Sequence, residues 1–216
     1  MDKNSEAWDM LRKLQMAVLL ILCFTACAPS VDSAEDARGG LLLSGSDKSP
    51  VKIEVFSDFQ CPACRTLFLN TIRPIMQNYK DKVCVIYYEF PLAGHPYARP
   101  AARYVGATAK LGSQKAKPVF ESIFWRQDEW IKDGNIEAAV SKALNREDFL
   151  KVQKMLEEPG TLEAINDDIS KELEQGRLRK VSSTPTMFIS YPGKQQKVEG
   201  YQTYQVMQLL LDPLVK

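Results

Sequence analysis

Apolar and polar side chains alternate through residues 51–59 (VKIEVFSDF), with Val51, Ile53 and Val55 on one side and Lys52, Glu54 and Phe56 on the other. A period of two predicts a β-strand, and the folded body starts here. Gln60 then gives a short turn into Cys61-Pro62-Ala63-Cys64, and the following RTLFLNTI has apolar residues at helical spacing. The predicted order is therefore strand, turn, CxxC, helix. Residues 83–89 (VCVIYYE) are β-branched and aromatic and predict a central strand, with Cys84 as a small buried hydrophobe.

The proline-punctuated segment FPLAGHPYARPAAR leads into a helix near 98–111, and residues 98–178 read as helices. Their breaks fall at Gly112–Ser113, Asp133–Asn135, Asn145 and Pro159–Gly160, while Phe120, Ile123, Phe124 and Trp125 cluster near one helical face. Trp125, Trp130 and Phe149 are expected as core or groove residues rather than cofactor stackers. The chain closes with a strand MFIS (187–190), the turn YPGKQ, a strand QKVEG and a helix over about 201–211, the two strands forming a hairpin.

Upstream of the folded body the pattern changes twice. Met16 to Cys27 (MAVLLILCFTAC) is a 12-residue uncharged run behind Arg12 and Lys13, too short for a conventional bilayer span and suited to an export signal. The acids Asp2, Glu6 and Asp9 are unusual in a signal, and a start at Met10 removes them. Residues 24–27 (FTAC) are similar to the bacterial lipoprotein cleavage motif, which makes Cys27 a candidate for lipidation. Cleavage further on to a soluble protein, or retention of residues 1–28 as a short anchor, are the alternatives. Residues 29–49 have the Ser, Asp, Gly and Ala content of a flexible linker, with Leu41 to Leu43 alternatively packing on the domain edge.

With 216 residues, 45% of them apolar, the chain has material for one well-buried domain carrying an inserted subdomain. A net charge of +1 from 28 basic and 27 acidic residues gives no field to hold nucleic acid, and no nucleic-acid partner is expected.

Five cysteines, at 23, 27, 61, 64 and 84, are too few across this length for a disulfide-stapled scaffold. The CxxC pair carries the chemistry. A first cysteine at a helix N-terminus faces unpaired backbone N–H groups and the positive end of the helix, both of which favour thiolate. Pro62 suits the first helical turn because its missing N–H would be unbonded there. Cys64 lies one turn on, within reach of a mixed disulfide at Cys61. Half a zinc site is the competing reading, but the chain has one histidine, His95, and one other cysteine in the body, neither in a paired-ligand motif, so no metal is expected.

The segments FSDFQCPAC (56–64), YEFPL (88–92) and STPT (183–186) resemble the thioredoxin superfamily in its DsbA-like branch of periplasmic thiol:disulfide oxidoreductases, over about residues 50–213. The resemblance implies a thioredoxin fold with a mixed central β-sheet and an inserted helical subdomain over about 98–178. It implies Cys61 as nucleophile, Cys64 as resolving thiol, and Pro185 as a cis-proline beside the disulfide, with Thr184 lining the substrate site. Pro62, Ala63 and Asp58 become active-site neighbours, Asp58 also as a cap of the turn. Glu54, in the strand ahead of the motif, is a candidate proton carrier for Cys64, or else a satisfied strand carboxylate. His95 is expected chiefly in loop packing or capping.

No Rossmann or Walker glycine pattern occurs, so no cofactor is expected and redox equivalents come from another protein. The expected activity is oxidation of paired thiols in exported cysteine-containing proteins, with a quinone-linked membrane oxidoreductase or a dithiol protein as redox partner. The expected location is the bacterial periplasm or the outer face of the cytoplasmic membrane. A reductase or isomerase, and a nonenzymatic peptide-binding lipoprotein, remain open at this point.

Overall fold

The structure, a computed structural model, describes residues 39–215. The export signal, Cys23, the lipidation candidate Cys27 and most of the expected linker lie outside the described residues.

A five-stranded sheet in the order β1-β3-β2-β4-β5 organises the fold. Its strands are β1 (Leu41–Ser44), β2 (Val51–Ser57), β3 (Val83–Glu89), β4 (Thr186–Tyr191) and β5 (Lys194–Glu199). β2 and β3 run parallel, with Val55 opposite Tyr87 and Ser57 opposite Glu89, and every other pairing is antiparallel. Strand alternation divides the core. Val51, Ile53, Val55, Val85 and Tyr87 face one apolar cluster, which contains both Cys61 and Cys64. Phe56, Ile86, Tyr88 and Phe188 face a smaller cluster on the other side.

β1 corrects one expectation. Leu41–Ser44 lies inside the segment read as a linker, yet it pairs with β3, and Leu43 is buried. The Glu172 carboxylate fastens it by accepting hydrogen bonds from Gly40 N–H at 3.0 Å and from Glu89 N–H at 2.5 Å, so one side chain ties β1 to β3.

The motif helix α1 (Pro62–Leu67) continues through a π-helical turn (Phe68–Ile72) into α2 (Arg73–Tyr79). Pro74 explains the wide turn: it cannot donate to the residue four before it, and its ring would strike that carbonyl.

The helical subdomain between β3 and β4 contains α3 (Ala98–Ala109), α4 (Ser113–Trp125), α5 (Gln127–Trp130), α6 (Ile136–Val140), α7 (Arg146–Glu157) and α8 (Pro159–Leu178). Asn135 and Asn145 cap α6 and α7 by accepting from Ala138 N–H and Asp148 N–H, and Pro159 opens α8. Gly176 lets α8 lie close on the second sheet face, since a Cβ there would come within 2.5 Å of Phe90.

Phe59, fully buried in the turn before the motif, packs on Tyr87, Phe120 and Phe124 with ring centroids 5.4, 5.4 and 4.7 Å away. It thereby joins the turn to the insertion. Trp130 is buried and donates from its indole N–H to Ile123 O. Trp125 departs from the expected apolar cluster: it is 59% exposed, with the Arg73 guanidinium 5.5 Å above its ring. The chain ends in α9 (Tyr204–Leu211), capped by Thr203.

Candidate functional site

Cys61 is the N-cap of α1, with Pro62 inside the first turn and no capping side chain. Two groups fix its backbone: Cys61 N–H donates to Asp58 O, and Cys61 O accepts from the buried Gln127 side chain at 3.1 Å. Gln127 also donates to Phe59 O at 2.6 Å, so the insertion grips both sides of the turn. Arg65, in the motif helix, donates to Phe124 O and pairs with Asp128 at 2.8 Å.

The two thiols differ in environment. Cys61 is lowered to about 6, first by a hydrogen bond from the Cys64 thiol and further by backbone N–H groups of Cys64 and Ala63 and by the Thr184 side chain, against the opposing cost of burial. Cys64 is pushed well above the ordinary thiol range, first by burial and then by the adjacent Cys61 sulfur. The pair thus holds one thiolate near neutrality, on the more accessible sulfur, with the deeper sulfur keeping its proton.

The Thr184–Pro185 bond is cis, and Thr184 O accepts from the Cys61 thiol at 3.5 Å. The Thr184 hydroxyl is buried and makes no hydrogen bond among the described residues while Cys61 is a thiol, which leaves it able to donate to the thiolate. The structure therefore brings Thr184 and Pro185, 123 and 124 positions from Cys61 in sequence, to the motif.

Asp58 is fully buried. Its carboxylate accepts from Gln60 N–H at 2.7 Å and from Leu92 N–H at 2.8 Å, and pairs with His95 Nδ1 at 2.8 Å. Asp58 is thus a cap for two loops, and His95 holds the loop after β3 beside the motif.

Glu54 lies apart from the cysteines. It shares strand parity with Phe56, on the face away from Cys64, and makes a bidentate pair with Arg179, both contacts at 3.0 Å. The Arg179 guanidinium also sits 3.7 Å from the Phe188 ring centroid. The expected proton-carrier role fails on this geometry, because the sheet separates the carboxylate from the sulfur. The polar side chains that share a cavity with Cys64 are instead Ser57 and Tyr87, with Glu89 opposite Ser57 on the neighbouring strand. Glu89 was missed because it ends an otherwise apolar strand; its parity with Tyr87 was the available signal. Gln127 left no signal, being one polar residue of a long helical stretch.

Among the described residues, no three His, Cys, Asp or Glu side chains converge as metal ligands, and no helix is long and apolar enough to cross a membrane.

A family model described as Thioredoxin matches residues 38–213. A protein of Bacillus cereus named "Probable disulfide bond formation protein D" is 27% identical over 152 residues, 68% of each chain. Among solved structures, BdbD from Bacillus subtilis in its oxidised form superposes with a TM-score of 0.66 at 16% identity, covering 82% of this chain and 92% of that one. The thiol-disulfide exchange protein alpha-DsbA2 from Wolbachia pipientis gives 0.61 at 21% identity, covering 79% and 85%. The chain belongs to the thioredoxin family, with the helical insertion of its DsbA-like members.

Proposed function

We propose that the protein is a thiol:disulfide oxidoreductase that oxidises paired thiols in exported proteins. The observation that carries this reading is the placement of the pair: Cys61 caps a helix N-terminus beside the cis Thr184–Pro185 bond and Cys64 lies buried behind it, an arrangement that lowers the first thiol and raises the second.

In the oxidised enzyme a substrate thiolate attacks the Cys61 sulfur, and the Cys61–Cys64 bond breaks with its electrons on Cys64, which takes up a proton. A second substrate thiolate then attacks the substrate sulfur of the mixed disulfide. Cys61 leaves as a thiolate, and the substrate carries the new disulfide. Two electrons have moved from the substrate to the enzyme. A stabilised Cys61 thiolate is a good leaving group and favours the reduced enzyme, which makes the disulfide oxidising.

Thr184 pairs with an extended substrate backbone in this reading, which the contact of its carbonyl with the Cys61 sulfur supports. Pro62 and Ala63 form the rim of the site. Reoxidation requires an acceptor, for which a quinone-linked membrane oxidoreductase or a dithiol protein has the right chemistry. An exported location, with the chain tethered through a lipidated Cys27, fits this circuit; labelled palmitate entering the protein and lost in C27A tests the tether.

The test of function is oxidation of a reduced, unfolded substrate protein together with a redox titration against glutathione. The oxidase reading expects substrate disulfides to form and a potential nearer about −120 mV than about −270 mV. A thioredoxin-like potential without substrate oxidation would move the assignment to a reductase.

A further inference from the structure

When Cys64 leaves the disulfide it needs a proton, in a place where water has little access. Cys64 is 1% exposed, and the cavity behind it, lined by Cys64, Ser57, Tyr87, Leu43, Val55 and Phe124, has room for about one water at ≈10 Å³. Two of these groups are hydroxyls. Ser57 shares this cavity with Cys64. Tyr87 lines the same cavity, and its hydroxyl is buried without a hydrogen-bond partner among the described residues.

Glu89 completes the row. Parallel pairing sets it directly opposite Ser57, on the same sheet face as Tyr87 two residues before it. It is 7% exposed and takes no part in the β1 clip except through its backbone N–H. We infer that Glu89 is the proton donor and acceptor for Cys64, acting through the hydroxyls of Ser57 and Tyr87. The inference rests on the oxidoreductase reading and gives its buried thiol a proton source.

In the step concerned, the substrate thiolate forms its bond to Cys61 sulfur, the Cys61–Cys64 bond breaks, and the electron pair goes to Cys64. The Glu89 carboxyl gives up its proton through the hydroxyls, leaving Cys64 as thiol and Glu89 as carboxylate. Disulfide formation runs the same transfer backwards. The groups acting on Glu89 suit a proton donor. Burial raises it well above the carboxylate range, Glu172 on α8 and Asp58 in the turn after β2 raise it further, and Tyr87 on its own strand opposes them. Asp58 is itself paired with His95.

The test is stopped-flow reduction of the oxidised protein by glutathione, with rates referred to glutathione thiolate across pH. E89Q keeps the shape and removes the proton, and Y87F interrupts the path. Both should slow reduction about tenfold or more at neutral pH. E89Q should also lose the fall in rate that accompanies ionisation of Glu89 in the wild type, while E89D restores that fall in part. The ultraviolet titration of the Cys61 thiolate should stay in place in E89Q, which separates lost proton transfer from a disturbed motif. Infrared spectra of the unmutated protein give a second readout: a protonated carboxyl band in the oxidised form that is absent from E89Q and shifts on reduction. Rates and pH profile unchanged in E89Q, or no such band, overturn the inference. Failure of the wild type itself to exchange with glutathione overturns the oxidoreductase reading instead.

Discussion

Replacing Glu54 by Gln should weaken the fold and leave thiol exchange intact. The carboxylate is 11% exposed at its side chain and takes two hydrogen bonds from Arg179, whose guanidinium also lies over Phe188. An amide keeps the shape and one acceptor but loses the charge, leaving a partly buried cation under-compensated. Hydrogen bonds to charged groups contribute about 1.5–3 kcal/mol, so E54Q should cost about 2 kcal/mol. In a domain of this size that lowers the melting temperature by about 4–8 °C. R179M should cost about 3 kcal/mol, because it strands a buried carboxylate and removes the cation from the aromatic face. The double variant E54Q/R179M leaves neither charge behind and should recover much of the loss, so the cycle shows a coupling of about 2 kcal/mol. Urea unfolding of the four proteins measures this, alongside glutathione exchange rates from pH 5 to 9. Additive losses would refute the pairing. Normal stability in E54Q with slowed, pH-shifted exchange would return Glu54 to the proton path.

The pH dependence of stability follows from Glu172, which burial raises from 4.5 to about 7 against the two backbone N–H groups it accepts from. An acid raised in the fold binds its proton more tightly there than when unfolded, so its stabilisation is complete below about pH 4.5 and is lost as pH rises toward 7, by about 3 kcal/mol at most. Glu89 acts in the same direction; in the oxidised protein, where the Cys61 thiolate cannot add an opposing rise, urea midpoints should therefore fall between pH 5 and 8, and a flat or rising profile contradicts the burial argument. T184A removes a side chain that favours the Cys61 thiolate, so Cys61 should ionise at higher pH than in the wild type, which absorbance at 240 nm reads directly. C64S should attack disulfides yet accumulate mixed disulfides, whereas C61S should do neither, as thiol-specific mass labelling would show.

The cysteine motif was readable because strand, turn and helix are local, and each has its own residue signal: alternation in 51–57, Pro62 at the helix start, and the Thr-Pro ahead of β4. The helix breaks at Asn135 and Asn145 were legible for the same reason, and the structure shows both residues to be helix caps. Relations across the sequence were not. Leu41–Ser44 looks like linker until Glu172, 132 positions after Gly40, pins it to β3. Glu54 looks like an active-site acid until Arg179, 125 positions away, claims it. Strand parity already set Glu54 opposite Ile53 and Val55, and the same alternation places Ser57 and Glu89 on the face of Cys64. What the sequence could not supply was the register between β2 and β3, which sets those two side chains abreast.

The most direct test is titration of the reduced protein by thiolate absorbance at 240 nm, repeated on C61S and C64S. One thiolate should form with a midpoint near 6, absent from C61S, and the Cys64 thiolate, absent from C64S, should form only far above the ordinary thiol range. A single midpoint in the ordinary thiol range near about 8.5, or a low midpoint that survives in C61S, would contradict the assignment of Cys61 as the activated sulfur.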